Sequence, residues 1–349
     1  MKKRMFAMGA AAILALSAAS GCAKETTPET QGASTTQAVQ AADTGSAGEN
    51  SGTESAWTKD TPLKIGFSQN KLSVAYRVAG VEQLEAYVKE QGLNWEIIVT
   101  DGKNDATTQT ANVEDLLSQG VDAIIMCPVT EDTMTTAAES VMETGIPLVL
   151  VNRQVQNKDA WTCAITGSNY QIGQLQAEDM AKRLGGKGKV ACLEGTLGAT
   201  DATERARGFL ETIANYPDIQ VVADVTGDFV KDKAMTAMED ILIKNPDLNA
   251  VACGNDEMAQ GAYLACEAAG KTDVLIYGND CYRSTLDMIK EGKITGTCVY
   301  PTSVQSAVDV LVEYFSNGNK YDGPREIIDD VPITLPENVD DYYDSALDA

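Results

Sequence analysis

The side chains best equipped for chemistry in this chain recur at one kind of position, the few residues that follow a short apolar run. Gln69-Asn70, Asn152-Arg153, Glu194-Gly195, Gly227-Asp228-Phe229, Gly254-Asn255-Asp256, Gly278-Asn279-Asp280 and Tyr300 all stand there. These carboxylates, amides and guanidinium groups suit the recognition of hydroxyls. A hydrogen bond with an ionised partner is roughly twice as strong as a neutral one, and an amide both donates and accepts. Catalysis fits less well. The chain contains no histidine, which removes Ser-His-Asp and Cys-His machinery and every His-containing zinc site. The first turn, GFSQNKLS (66–73), lacks a phosphate-binding glycine fingerprint, and Gly186-Lys187-Gly188-Lys189 precedes an apolar run instead of following one. The expectation is a ligand-binding site with no catalytic residue, no metal and no cofactor.

The elements that must position these residues read as two successive strand–helix alternations. Strands are predicted at 64–68, 95–100, 123–127, 147–151 and 162–166, with helices over 73–91, 105–119 and 131–143 between them. The pattern restarts with strands at 189–193, 220–225, 250–253, 274–277 and 296–299, and helices over 171–184, 202–216, 231–244, 257–269 and 283–291. Continuous apolar strands flanked by helices indicate parallel sheets covered on both faces. Glycines just past two predicted helix ends, Gly120 and Gly145, suit C-caps. The fold class is therefore α/β, two similar doubly wound lobes. In such sheets ligands sit beyond the strand C-termini, which is where the polar residues fall.

The 349 residues allow roughly two domains. A net charge of −24 repels phosphate backbones, so no nucleic-acid partner is expected. Lys2, Lys3 and Arg4 precede a short apolar run, the pattern of a secretory signal over 1–21. Ala19-Ser20-Gly21-Cys22 resembles a bacterial lipobox, with Cys22 as the lipidated residue. Residues 22–60 are rich in Thr, Ser, Ala, Gly, Gln and Glu and are expected to form a flexible tether. Seven further cysteines, an odd number with no CxxC pair, read as buried free thiols, a Cys192–Cys253 bridge being the alternative.

Seven segments occur in an order and spacing that resembles a known family: KIGFSQ (64–69), QGVDAIIMCPV (119–129), IPLVLVNR (146–153), EGTLGATDATERARGF (194–209), TGDFVKDKA (226–234), GNDEMAQGA (254–262) and YGND (277–280). They resemble the periplasmic sugar-binding proteins of ribose, galactose and galactofuranose type that serve ABC transporters. The resemblance covers residues 63–335. It implies the type I periplasmic binding fold, with one lobe from 61–167 plus about 300–323 and the other from 168–299 plus about 324–349. A three-stranded hinge would join them near Gly167-Ser168, Val299-Tyr300 and 323–325. Position by position it implies ligand contacts at Arg77, Asn152, Arg153, Arg205, Asn255 and Asp280, with Phe229 stacking on a sugar ring; Gln69 and Tyr300 are further candidate contacts from their strand-end positions. Arg77 and Arg153 would serve one lobe, and Arg205, Phe229 and Asn255 the other.

The chain departs from the family pattern in places. Asn152 stands where aspartate is usual, Tyr300 where glutamine is common, and Ser73 and Val74 where the ribose type carries two aromatics. These departures leave the identity of the sugar open. The implied function is that of an extracytoplasmic, monomeric lipoprotein held on the outer face of the membrane. It would capture a small sugar, a monosaccharide with furanose forms included, by hinge closure and deliver it to an ABC permease. The alternative is a ligand-presenting component of a sensor for a polyol or an autoinducer-2-like signal.

Overall fold

A computed structural model describes residues 57–348. The predicted signal segment, Cys22 and the tether as far as residue 56 lie outside these residues. The chain enters through β1 (Leu63–Gln69), α1 (Ala75–Glu90), β2 (Trp95–Asp101), α2 (Ala106–Ser118), β3 (Ala123–Met126), α3 (Thr135–Glu143), β4 (Leu148–Val151) and β5 (Cys163–Gly167). It then crosses into α4 (Asn169–Arg183), β6 (Lys187–Glu194), α5 (Thr200–Ile213), β7 (Asp218–Thr226), α6 (Lys231–Lys244), β8 (Ala250–Cys253), α7 (Asp256–Ala268), β9 (Leu275–Asn279), α8 (Arg283–Lys290) and β10 (Gly296–Cys298). It returns to the first lobe for α9 (Val304–Ser316) and β11 (Glu326–Asp329), then ends in the second with β12 (Ile333–Thr334) and α10 (Val339–Tyr342).

Each lobe is a six-stranded sheet, ordered β11-β5-β4-β3-β1-β2 in one and β12-β10-β9-β8-β6-β7 in the other. All pairs are parallel except β10 with β12. Successive side chains of a strand point to opposite faces, and both faces are covered. In β3, Ile125 packs with Phe67 of β1, Leu84 of α1 and Leu311 of α9. Its neighbours Ile124 and Met126 face Leu116 of α2 and Val141 of α3. The second sheet repeats this, Val251 toward α6 and α7, Ala250 and Ala252 toward Phe209 of α5. Each fully buried Ile or Leu contributes about 1.5–3 kcal/mol. Gly120 and Gly145 close α2 and α3 with φ of 69° and 84°, as their sequence positions predict.

The structure moves two boundaries and adds a helix. Trp57 is already seated against the first core and the Lys59 carbonyl accepts the Asn94 N–H at 2.9 Å, so the folded part starts before residue 61. α9 is absent from the pattern read from the sequence, although Ser303 before it and Gly318 after it suit helix caps; it packs on α1 and β4. The third crossing falls at 330–332 rather than 323–325, because β11 pairs with β5 from Glu326↔Ala164 to Asp329↔Gly167 and so belongs to the first sheet. The three crossings lie side by side: the Val299 N–H donates to the Pro332 carbonyl at 2.8 Å, and Tyr300 and Val331 share one apolar cluster with Cys298 and Ile172. The seven described cysteines are buried free thiols, Cys192 and Cys253 included.

One close approach bears on function. A Cβ on Gly208 of α5 would collide with the Tyr170 backbone of α4, and one on Gly173 with the Arg205 and Phe209 backbone. The two helices therefore touch backbone to backbone, which fixes the position of Arg205. Gly208→Ala is expected to lower the unfolding free energy by about 1–3 kcal/mol, the cost typical of overpacking, as read from the urea midpoint. An unchanged midpoint would show that α4 and α5 can separate freely.

Candidate functional site

Twelve residues from both lobes line one cavity between the sheets: Lys71, Val74, Tyr76, Arg77 and Arg153 from the first lobe, Asp201, Arg205, Phe229, Asn255, Asp280 and Tyr282 from the second, and Tyr300 from a crossing segment. They surround about 350 Å³ of atom-free space, part of it open to solvent. The lobes are shut on it. The Glu131 N–H donates to the Gly198 carbonyl at 3.0 Å across the opening, the Gln154 N–H to Thr200 Oγ1 at 3.2 Å, and the Tyr76 N–H to Tyr282 Oη at 3.0 Å.

The cross-lobe ion pair is the strongest of these contacts. Arg153 follows β4, is 1 % exposed, and donates through Nη1 to the Val129 carbonyl at 2.7 Å. Its Nε reaches across to Asp201 Oδ2 at 3.0 Å, and Arg77 Nη2 lies 3.9 Å from the same oxygen. Asp201 sits in the first turn of α5, where the helix dipole favours negative charge. Burial alone would raise its pKa, but Arg153, Arg205 and Arg77 together hold the carboxyl below its ordinary value. One turn further, Arg205 donates through Nε to Asn169 Oδ1 at 2.9 Å and through Nη1 to the Gly254 carbonyl at 2.6 Å. Its guanidinium lies over the Tyr300 ring, 4.3 Å from the centroid. Phe229 stands within cation–π range of both Arg153 and Arg205.

Seven sequence-predicted residues meet in this cavity: Arg77, Arg153, Arg205, Phe229, Asn255, Asp280 and Tyr300. Two do not line it. Asn152 takes a left-handed φ of 63°, accepts from Arg77 Nη1 at 2.6 Å and donates to Tyr76 Oη at 3.0 Å, so it orients cavity residues from behind. Gln69 donates to the Arg77 carbonyl at 3.4 Å and is likewise a support. Asn255 has a divided role, its Oδ1 capping α7 at the Met258 N–H at 3.0 Å while the residue also lines the cavity. Sequence reasoning missed Lys71, Asp201 and Tyr282. The Asp201–Arg205 spacing at the start of a helix after β6 was a usable sign. Nothing local marks Tyr282, which the fold brings to α1 from far along the chain.

Asp280 is held differently from Asp201. Its φ of 112° is rare for any residue but glycine, its N–H donates to the Cys298 carbonyl, and among the described residues its carboxyl has no ion-pair partner. Burial pushes its pKa well above the usual range, with Arg205 opposing. An acid whose folded pKa is raised destabilises the fold above its unfolded pKa, near pH 4, and the penalty grows until the folded pKa is reached. Asp280→Asn is therefore expected to raise the ligand-free melting temperature at pH 7 and to leave it unchanged at pH 3. An equal effect at both pH values would assign the gain to shape and not to charge.

Residues 65–320 match the model of the periplasmic binding protein domain. The chain is 36% identical over 248 residues to the ribose import binding protein of Bacillus subtilis strain 168, covering 71% of this chain and 77% of that protein. It is 32% identical to the xylitol-binding protein of Mycolicibacterium smegmatis over 74% of this chain and 73% of the other. Among solved structures, an ABC transporter solute binding protein of Bacillus halodurans with bound myo-inositol superposes with a TM-score of 0.75 at 31% identity, covering 81% of this chain and 97% of that one. With two doubly wound lobes closed on a polar cavity, and with these relatives, the chain belongs to the periplasmic binding protein family, among its sugar-binding, non-enzymatic members.

Proposed function

We propose that the protein is an extracytoplasmic solute-binding lipoprotein of an ABC importer, anchored through Cys22, that captures a monosaccharide between its lobes and delivers it to a permease. The observation that carries this reading is the convergence of Arg77 and Arg153 from one lobe with Arg205, Asn255 and Asp280 from the other in one buried cavity. A sugar ring offers hydroxyls on its rim and apolar C–H faces. The arginines present planar donor forks, Asp280 accepts from neighbouring hydroxyls, and Phe229, Tyr76 and Tyr300 supply aromatic surface. A ligand that bonds to both walls stabilises the closed form, because the open form offers only half of these contacts. The hinge is the set of three adjacent crossings, and the protein acts as a monomer. Furanose forms are included in the proposed ligand class, since a galactofuranose binding protein is a structural neighbour at 25% identity with a TM-score of 0.77.

A second reading, ligand presentation to a sensor, draws on another neighbour, the fructose binding periplasmic domain of a hybrid two component system, at 25% identity and a TM-score of 0.75. It uses the same cavity and the same closure, and it extends to polyols and furanose-like signals such as autoinducer-2.

A thermal-shift screen of pentoses, hexoses, furanosides and polyols tests the binding reading. A ligand at about 1,000 times its Kd adds about 4 kcal/mol of stability, and Arg205→Ala is expected to weaken the hit about 10- to 100-fold. X-ray scattering on adding the hit should show compaction, and no change in radius would remove hinge closure from the account. For the anchor, Cys22→Ala is expected to shift the protein from the membrane fraction to the soluble fraction of expressing cells. Retention in the membrane fraction would refute lipidation at Cys22.

A further inference from the structure

The cavity carries one cation, Lys71, that the sugar contacts proposed above do not use. Lys71, Arg77, Arg153 and Arg205 line it against the carboxylates of Asp201 and Asp280. Asp201 is already committed, one oxygen to Arg153 and Arg77 and the other to the Ala202 N–H at 2.9 Å. Lys71 has no such partner. It follows β1, is 4 % exposed, and among the described residues no ion pair or side-chain hydrogen bond engages its ammonium. Arg153 and Arg77 are close enough to repel it. The carboxylates that attract it are Asp228 and Glu257, and neither lines the cavity. Asp228 is moreover held by Lys233 Nζ at 2.6 Å and Thr196 Oγ1 at 2.7 Å. An ammonium at the cavity wall with no partner of its own and two guanidiniums near it is free to receive an anion.

We infer that the cavity takes an acidic monosaccharide, a uronic or aldonic acid, whose carboxylate sits on the first-lobe wall between Lys71, Arg77 and Arg153. Its hydroxyls then face Arg205, Asn255 and Asp280 on the opposite wall. This inference rests on the sugar-binding reading above and names the ligand class within it. A carboxylate fits better than a phosphate monoester. The wall provides one ammonium and the open edges of guanidiniums already partly engaged with backbone and side-chain acceptors, which is little for a dianion. Burial, with the neighbouring arginines adding to it, lowers the pKa of Lys71 in the ligand-free protein, and an anion on this wall would oppose that shift.

The test is isothermal titration of the purified full-length protein at pH 7 with galacturonate, glucuronate and gluconate beside galactose, glucose and glucitol, and with glucose 6-phosphate. At least one acid is expected to bind about tenfold or more tightly than its neutral counterpart, and Lys71→Met is expected to shrink that ratio severalfold. The wild-type ratio decides the matter even if the variant fails to fold. A neutral sugar or polyol that outbinds every acid overturns the inference and leaves the sugar-binding reading intact. A phosphate ester that outbinds the acids overturns the carboxylate assignment. Failure of every compound, neutral and acidic alike, overturns the inference together with the sugar-binding reading.

Discussion

Charges taken out of water must be met by partners, and in this protein the partners come from different lobes. Arg153 and Arg77 from the first lobe share the carboxylate of Asp201 from the second. Neither side could bury its charge at this depth without the other, because an unpaired buried ion is far costlier than a matched pair. The shut cleft, the depressed pKa of Asp201 and the stacking of arginines on Phe229 and Tyr300 all follow from this meeting. Opening the lobes would return these groups to water. The closed arrangement therefore balances the desolvation of a few charged side chains against their pairing across the cleft.

The scaffold makes such a balance workable. Each sheet has apolar side chains buried on both of its faces. The lobes are joined by three short crossings that lie against one another around Tyr300, Val331 and Gly167, where a Cβ on the glycine would strike both neighbours. Asn152 ties this region to the cavity. It bonds to Arg77, to Tyr76 and to the Pro301 carbonyl, linking a ligand-facing guanidinium to a crossing segment. An aspartate at this position could accept from Arg77 but could not donate to the Tyr76 hydroxyl or the carbonyl. The departure from the family pattern thus has a structural use here.

The cavity also departs from what stability alone would select. Asp280 is buried with a raised pKa and a rare backbone conformation, and Lys71 is buried beside like charges. Local rules are broken at functional sites and obeyed elsewhere. Asp256, close in sequence to Asn255, shows the contrast. It is also buried and its pKa is likewise pushed up, to about 7, but Thr297 and the Tyr282 N–H satisfy its two oxygens, which marks it as part of the frame.

Much of the architecture was legible from residue order. Ten strands and eight helices announce themselves through apolar runs, periodicity and glycine stops, because burial on both faces of a parallel sheet demands continuous apolar sequence. The strand-end rule likewise placed Arg153, Phe229, Asn255 and Asp280 on the ligand edge. The edge strands β11 and β12 were not legible, since Glu326–Asp329 and Ile333–Thr334 become strands only through pairing with β5 and β10. Nor could residue order separate Asn152 and Gln69, which brace the cavity, from Lys71, Asp201 and Tyr282, which line it. Which side chains could recognise a ligand is a matter of residue type and is written in the chain. Which of them face the same few ångströms of space depends on two lobes closing over each other, and only the tertiary structure decides that.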